Sequence, residues 1–339
     1  MRSKLIVNSK IKNYPIEFVD FISDILVLCN QKNTITFIDK KVKELFQELS
    51  NDSFIEIDTS ENIKTLNGAD FIYNTLTERK ANKSTTLVVI GGGVLQDLIG
   101  FCASTFCRGI DYILIPTTLL AQADSCVGGK TSLNHNSRKN ILGTFYPPVK
   151  IIICPKFIQT LSQLDLISGL GEIYKFHILQ SNIPSFDVSK LSEMIYTGLE
   201  YKIDIISRDE FDQSERKFLN FGHTFGHALE SISSNVIPHG VAVIVGSIVA
   251  LIISTQKGYK VKDYSTTINL GLQLLKESGV HFHREWFNVQ LLLDIIKSDK
   301  KSIGKLTMVL IDKEPIIEDI EDVQIIEQTI TKLCEYLTI

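Results

Sequence analysis

Short apolar runs alternate with helical patterns through the first half of the chain. Strands are predicted at 35–38, 54–57, 85–90, 112–115 and 151–154, with helices at 41–49, 66–79 and 95–106. The run at 85–90 is apolar throughout, which is typical of a strand buried on both faces of a parallel sheet. The alternation of strand and helix therefore predicts an α/β sheet of the nucleotide-binding kind.

Beyond about residue 155 the pattern changes to the 3.6-residue spacing of helices. The predicted helices are 161–180, 189–207, 216–233, 240–256, 262–278 and 289–298. A chain of 339 residues is long for one hydrophobic core, so two domains are expected. We predict an α/β domain over 1–148 and an all-α domain over 149–339, with the boundary at Pro147-Pro148.

Composition and charge argue against several classes of protein. The net charge of −4 provides no basic surface for nucleic acid. The apolar stretch 240–256 is shorter than the roughly 20 residues of a membrane span, so we expect a buried helix. The N-terminus does not have the pattern of a signal peptide, and the six cysteines are scattered without a CxxC motif. These features predict a cytoplasmic protein with reduced thiols that binds neither nucleic acid nor membrane.

Three histidines lie in the stretch from Arg216 to His239. His223 and His227 are four residues apart and share one face of the predicted helix. His239 follows a group of turn residues, so the chain can fold back and bring a third imidazole near the first two. Three protein ligands and an open position are typical of catalytic zinc. The alternative is that these histidines are satisfied by ordinary hydrogen bonds.

Glycines and polar residues follow several predicted strands. Gly91, Gly92 and Gly93 lie between a strand and a helix, where the backbone can approach a phosphate at the helix N-terminus. Asp39 ends an earlier strand, a position that often holds a ribose hydroxyl. Lys130 follows two glycines, which suits an anionic ligand. A tight turn and a solvated loop are the alternatives at these two glycine-rich sites.

Several longer motifs resemble the 3-dehydroquinate synthase family of sugar-phosphate cyclases. They are GGGVLQDLIGF, RG at 108–109, IPTTLLAQADSCVGGKTSLNH, KNILGTFYPP, SGLGEIYK and NFGHTFGHA, in the family's order and spacing. The resemblance spans the chain from Asp39 to about Lys301. It implies an N-terminal NAD-binding α/β domain and an all-α C-terminal domain that binds metal and substrate. It also implies NAD in a cleft, Zn²⁺ or Co²⁺, a small sugar-phosphate substrate and a homodimer.

The resemblance also implies roles for individual residues. The metal ligands would be Glu172, His223 and His239, while His227 would lie beside the substrate instead. The other implied substrate residues are Asp124, Lys130, Asn140, Lys175, Lys202, Arg216, Asn220, one or both of Lys300 and Lys301, and Arg108 acting on the neighbouring subunit's substrate. The implied NAD contacts are Asp39, Glu61, Lys64, Gly91, Gly92, Gly93, Asp97, Thr117, Thr118, Lys139, Phe157 and Thr160. Surface lysines are common, and Asp97 could instead be a residue favoured by the helix dipole.

The implied activity converts 3-deoxy-arabino-heptulosonate 7-phosphate to 3-dehydroquinate and phosphate. NAD is transiently reduced, phosphate is eliminated, the hydride returns and an aldol step closes the carbocycle. Five residues at four places depart from the family pattern, namely Gln96, Phe176-His177, Ser214 and Val241. The change at Val241 predicts that an acid supporting the metal ligands is missing. The alternatives are a 2-deoxy-scyllo-inosose or valiolone type of cyclase, a metal-dependent polyol dehydrogenase, or a non-catalytic binding protein.

Overall fold

The computed structural model describes residues 4–136, 138–180, 186–298 and 306–339. Contacts between residues divide the chain into two compact units. Unit 1 contains residues 1–161 with 202–211, and unit 2 contains 162–201 with 212–339. The domain boundary at residue 148 stays a prediction.

Unit 1 is built on a seven-stranded sheet with helices. Its strands are β1 (Lys4–Val7), β2 (Tyr14–Phe18), β3 (Thr34–Asp39), β4 (Ile55–Ile57), β5 (Thr86–Gly91), β6 (Asp111–Pro116) and, after a separate hairpin, β9 (Lys150–Ile153). The hairpin strands are β7 (Lys130–His135) and β8 (Arg138–Phe145). The helices are α1 (Ser23–Cys29), α2 (Lys40–Leu45), α3 (Leu66–Glu78) and α4 (Gly93–Thr105). The sequence did not predict the hairpin, because its residues are mostly polar.

The seven strands lie in the order β1-β2-β9-β6-β5-β3-β4, and all pairs except β1 with β2 are parallel. The chain passes from β3 to β4 on one side and then to β5 on the other side of β3. The strand order therefore reverses between β3 and β5. In open parallel sheets this reversal leaves a crevice outside the carboxyl ends of the two strands, where ligands bind.

Unit 2 is mainly helical. Its helices are α5 (Gln163–Gln180), α6 (Leu191–Arg208), α7 (His223–Ile232), α8 (His239–Gln256), α9 (Tyr264–Glu277), α10 (Val289–Ser298) and α11 (Val323–Leu337), and the last turns of α6 group with unit 1. A hairpin of β10 (Thr307–Asp312) and β11 (Glu314–Asp319) adds a small antiparallel sheet that the sequence did not predict. The fold class of an α/β unit followed by a helical unit is confirmed.

The prediction of one continuous helix over 216–233 is wrong, because the structure divides this segment in two. A 3₁₀ segment, Glu215–Asn220, is followed by α7, and Gly222 between them has φ +77°. A side chain is strained in this left-handed conformation, and a Cβ at Gly222 would also lie 2.8 Å from the Val243 carbonyl oxygen. The break sets His223 at the first position of α7.

Helix α8 is the core helix of unit 2. It is long and apolar enough to span a membrane by composition, but 83% of its apolar window is buried inside the protein. The prediction of a buried helix at 240–256 is therefore confirmed. Gly171 of α5 lies so close to Gly240 that an added Cβ would be 2.7 Å from the Gly240 carbonyl carbon. This close approach holds Glu172, the residue after Gly171, beside the start of α8.

Candidate functional site

Three helices of unit 2 converge on one buried carboxylate. Glu172 lies within α5 and is completely buried, while His223 and His239 are the first residues of α7 and α8. The Glu172 Oε1 atom lies 3.1 Å from His239 Nε2 and 3.6 Å from His223 Nε2. One carboxylate oxygen and two imidazole nitrogens therefore face a common point.

The other oxygen of Glu172 meets a cation. Lys175 Nζ lies 2.6 Å from Glu172 Oε2, and both side chains are about 1% exposed. The pair is three residues apart on α5, so one turn of helix brings the two groups together. A buried carboxylate is stable only with such a partner, since removal of either partner would leave an uncompensated charge.

Charges in the cluster control its protonation. Burial raises the pKa of Glu172, but the charges of Lys175 and the two histidines outweigh burial and hold the pKa well below its usual value. Burial lowers the pKa of His223 well below its usual value, against the opposing effect of Glu172. Burial also lowers the pKa of His239, but its hydrogen bonds with Glu172 and Glu230 raise it to about 10. A cation bound at His239 Nε2 would have to replace a proton there.

His227 brings a third imidazole to the cluster. One ligand nitrogen from each of His223, His227 and His239 lies within 4.8 Å of the others. The side chain of His227 is exposed, whereas Glu172 is buried between the other two rings. The residues can therefore form two overlapping ligand sets, one with Glu172 and one with His227 as the third member.

A second carboxylate, which the sequence did not indicate, contacts His239. Glu230 Oε2 lies 3.0 Å from His239 Nδ1, and Phe221 supplies a carbonyl oxygen 3.0 Å from His223 Nδ1. The prediction that a supporting acid is missing is therefore wrong, because α7 provides one. Val241 is fully buried. The spacing of seven residues between His223 and Glu230 places both on one face of α7, but the contact with His239 also needs the turn that leads into α8.

Several predicted NAD contacts of unit 1 lie at the carboxyl ends of neighbouring sheet strands. The carboxyl ends of β3, β5 and β6 are adjacent, and they carry Asp39, Gly91 and Thr117 respectively. Helix α4 begins at Gly93, directly after the glycine turn, and the Thr117 backbone N–H donates to the Gly91 carbonyl at 3.2 Å. Asp39 caps α2 by accepting a hydrogen bond from the Val42 backbone N–H, and burial raises the pKa of its carboxyl.

A polar network lies beside this edge. Lys64 Nζ is 2.5 Å from both Asp97 Oδ2 and Asn140 Oδ1. The Ser132 hydroxyl, which has one proton to donate, lies 3.0 Å and 2.9 Å from the same two oxygens. Glu61 accepts a hydrogen bond from the side chain of Asn134, which belongs to the same β7–β8 hairpin as Ser132 and Asn140. Burial raises the pKa of Asp97, while the charge of Lys64 lowers it. The hairpin therefore brings Asn140 together with three of the predicted NAD contacts.

Asp124 and Lys202 form an ion pair within unit 1. Lys202 Nζ lies 2.6 Å from Asp124 Oδ1 and also donates to the Asp124 backbone carbonyl. Asp124 belongs to a π-helical turn, Ala121–Ser125, a local geometry that is frequent at functional sites. Two predicted substrate residues that are 78 positions apart are thus in contact.

The remaining predicted residues are more scattered. Lys130, Lys139 and Arg108 are exposed in unit 1, Arg216 is buried in unit 2, and Asn220 precedes Phe221. Positive φ angles at Cys107, Arg108 and Gly109 shape the Arg108 loop, and Lys83 donates to all three carbonyls of that loop. The Phe157 side chain packs in the core against Phe46, and Thr160 donates to the Phe157 carbonyl. Lys300 and Lys301 lie outside the described residues.

Two of the departures from the family pattern have visible contacts. The Gln96 side chain is buried and donates to the Gly91 carbonyl at 3.0 Å, which ties α4 to the glycine turn. His177 lies edge-on to Phe186, and burial lowers its pKa. Neither side chain replaces a residue of the carboxylate and histidine cluster.

Known protein families match both halves of the chain. The family described as "3-dehydroquinate synthase N-terminal" matches residues 54–168, and "3-dehydroquinate synthase C-terminal" matches 169–302. A curated relative named 3-dehydroquinate synthase, from Dictyoglomus turgidum, is 37% identical over 309 residues, or 84% of this chain and 85% of the relative. The chain belongs to the 3-dehydroquinate synthase family. The resemblance indicated by the sequence motifs is therefore confirmed.

Solved structures of related cyclases share the family fold. A 2-deoxy-scyllo-inosose synthase in complex with carbaglucose-6-phosphate, NAD⁺ and Co²⁺ has a TM-score of 0.82, with 97% of this chain and 99% of that chain covered. The 2-epi-5-epi-valiolone synthase of Streptomyces hygroscopicus, with NAD⁺ and Zn²⁺ bound, also has a TM-score of 0.82 and covers 97% and 98%. Both are 21% identical to this chain, so they show a shared fold.

Proposed function

We propose that the chain is a 3-dehydroquinate synthase, a carbon–oxygen lyase that depends on NAD and a divalent metal. Its substrate would be 3-deoxy-arabino-heptulosonate 7-phosphate, and its products 3-dehydroquinate and inorganic phosphate. The observation that carries the proposal is the buried Glu172 carboxylate between His223 and His239, in a chain that belongs to this family. Curated relatives with this name at 33–37% identity support the same substrate.

The donor set of the cluster fits Zn²⁺ or Co²⁺. We propose Glu172, His223 and His239 as the ligands, because one carboxylate and two neutral imidazoles leave positions open for substrate oxygens. Two related cyclases contain Co²⁺ or Zn²⁺ together with NAD⁺, which supports the proposal. When bound, the ion would supply Lewis acidity that orients substrate hydroxyls and lowers their pKa. Lys175 holds the far oxygen of Glu172 and thereby fixes which oxygen faces the imidazoles.

We propose that NAD binds at the carboxyl edge of β3, β5 and β6. The strand order reverses between β3 and β5, and the glycine turn leads into the N-terminus of α4, where backbone N–H groups favour a pyrophosphate. Asp39 at the end of β3 would accept a hydrogen bond from a ribose hydroxyl, and Thr117 and Thr118 would supply further contacts from the end of β6, on the other side of β5. When bound, NAD would supply the transient removal and return of a hydride.

Cationic side chains would hold the two anionic groups of the substrate. We assign this role to Lys130, Lys175, Arg216 and the late lysine at 300 or 301, since arginine and lysine both bind phosphate and carboxylate. His227 would lie beside the substrate, where an exposed imidazole can hold or move a proton. Asp124, paired with Lys202, would accept hydrogen bonds from substrate hydroxyls, and Asn140 and Asn220 would supply further polar contacts.

We also propose a homodimer in which Arg108 reaches the substrate of the neighbouring subunit. The support is the match of Arg108 to the family motif and its exposed position on a loop shaped by three positive φ angles. Arg108→Ala should raise the KM for the heptulosonate phosphate about tenfold or more, because it removes a hydrogen bond between charged groups, and leave the affinity for NAD unchanged. Light scattering tests the dimer, and a loss of NAD affinity in Arg108→Ala would contradict the assigned role.

Product formation by the purified protein tests the proposed reaction. The protein is loaded with Zn²⁺, supplied with NAD and offered three substrates separately, namely the heptulosonate phosphate, glucose 6-phosphate and sedoheptulose 7-phosphate. We expect phosphate release and 3-dehydroquinate from the first substrate alone, without net NADH. Turnover of glucose 6-phosphate or sedoheptulose 7-phosphate instead would favour the other cyclases, and net NADH from polyols would favour a dehydrogenase.

A further inference from the structure

The two ring nitrogens of His239 face two different carboxylates. Nε2 lies 3.1 Å from Glu172 Oε1, and Nδ1 lies 3.0 Å from Glu230 Oε2. Glu230 belongs to α7, whereas His239 begins α8, so the contact joins the two helices across their connecting segment. The Glu230 side chain is only 13% exposed, so solvent competes little for this contact.

A carboxylate at Nδ1 determines which nitrogen can bind a cation. A neutral imidazole carries one N–H and one lone pair. The Glu230 carboxylate is an acceptor and retains the proton on Nδ1, which leaves the lone pair on Nε2. The carbonyl of Phe221 does the same for His223, whose Nδ1 lies 3.0 Å away. Both imidazoles thus present Nε2 to the same Glu172 oxygen.

The two supports differ in charge. Phe221 offers a neutral carbonyl to His223, whereas Glu230 offers a negative charge to His239. An anionic hydrogen-bond acceptor makes the imidazole a more basic and better oriented metal ligand. Position 241, next to His239-Gly240 on α8, is a fully buried valine and cannot supply this charge.

We propose that Glu230 is a positioning residue for metal binding, which fixes the tautomer and the ring orientation of His239. This inference rests on the proposed metal site of Glu172, His223 and His239. Removal of a carboxylate that supports a ligating histidine typically lowers metal affinity about 10–100-fold. Glu230→Ala should lose affinity in this range, while Glu230→Gln keeps a hydrogen-bond acceptor and should lose less.

The test measures metal affinity without any turnover. Zn²⁺ affinity is determined by competition with a chromophoric chelator for the wild type, Glu230→Ala, Glu230→Gln and Ser231→Ala. Ser231 is the adjacent residue of α7, and its hydroxyl contacts the His227 backbone carbonyl. It is therefore a matched control for a side chain lost from the same helix. The visible spectrum of bound Co²⁺ reports the geometry of the ligands in each variant.

We expect the order of affinity to be wild type and Ser231→Ala, then Glu230→Gln, then Glu230→Ala, with a changed Co²⁺ spectrum in Glu230→Ala. Wild-type affinity and spectrum in Glu230→Ala would overturn the role of Glu230 and leave the proposed metal site intact. Lower thermal stability in the absence of metal, together with unchanged affinity, would likewise overturn it. Failure of the wild type to bind Zn²⁺ would overturn the metal site and this inference together.

Discussion

The close contact between α5 and α8 should be essential for metal binding. Gly171 precedes Glu172, and a Cβ built on Gly171 would overlap the Gly240 carbonyl, with the carbonyl carbon at 2.7 Å. Gly240 is the residue directly after His239. A substitution of Gly171 by alanine therefore pushes apart the two backbone segments that carry two of the proposed ligands.

The size of the displacement follows from the contact. An ordinary van der Waals contact begins at 3.4 Å, so the Cβ and the carbonyl carbon must separate by at least about 0.7 Å, and the carbonyl oxygen, which lies closer still, requires a larger shift. Metal sites tolerate shifts of only about 0.2 Å in ligand distances. Overpacking costs about 1–3 kcal/mol, and we expect the upper part of that range because the Cβ meets backbone atoms. This cost exceeds the gain of up to about 1 kcal/mol from replacing a helical glycine by alanine.

Gly171→Ala should therefore lower the free energy of unfolding by about 1–2 kcal/mol and weaken Zn²⁺ binding by about tenfold or more. Urea denaturation and competition with a chelator measure the two effects. Gly198→Ala is the control, because the closest heavy atom to its Cβ is a Phe176 ring atom at 3.2 Å and not a backbone atom. Wild-type affinity in Gly171→Ala, with Gly198→Ala also unchanged, would refute the argument that this helix contact positions the ligands.

Three further predictions concern single side chains. His223→Ala should lose bound metal and activity, as measured by metal analysis and phosphate release. His281→Ala, which changes an exposed histidine elsewhere in unit 2, is the control and should lose neither. Cys107 is the exposed one of six cysteines, so Ellman's reagent should react rapidly with one thiol, and Cys107→Ser should abolish that reaction. Burial raises the pKa of Glu318, but hydrogen bonds from Lys257 and then Tyr259 outweigh it, so the pKa is lowered. A carboxyl group whose pKa is lower in the folded than in the unfolded protein stabilises the fold at any pH above its unfolded pKa. This stabilisation is lost as the pH falls through the folded pKa. Glu318→Gln should thus cost about 0.2–1 kcal/mol at pH 7 and progressively less as the pH falls below the ordinary carboxyl pKa, by urea denaturation.

The sequence predicted the regular elements well where burial determines them. The strand at 85–90 and the helix at 240–256 are continuous apolar segments, and both are present within one or two residues. The helix at 216–233 was predicted without its break, because apolar spacing does not reveal the positive φ of Gly222. The hairpin at 130–145 was missed for a related reason, since its pairing is made by polar residues such as Thr131 and Thr144.

The candidate site was predicted only in part. Spacing alone indicated His223, His227 and His239, and the structure brings all three together. Glu172 came from the family resemblance, because a carboxylate 51 residues before His223 has no spacing signal. The contact of Glu230 with His239 depends on the turn between α7 and α8, which the sequence does not specify. Contacts between distant residues therefore required the three-dimensional structure.

The position of bound zinc tests the central claim most directly. Crystals grown with Zn²⁺ and measured at the zinc absorption edge give the ion's location from anomalous scattering. We predict one peak at bonding distance from Glu172 Oε1, His223 Nε2 and His239 Nε2, with Glu230 retained on His239 Nδ1. A peak bound by His227 in place of Glu172, or the absence of any peak at this cluster, would contradict the account.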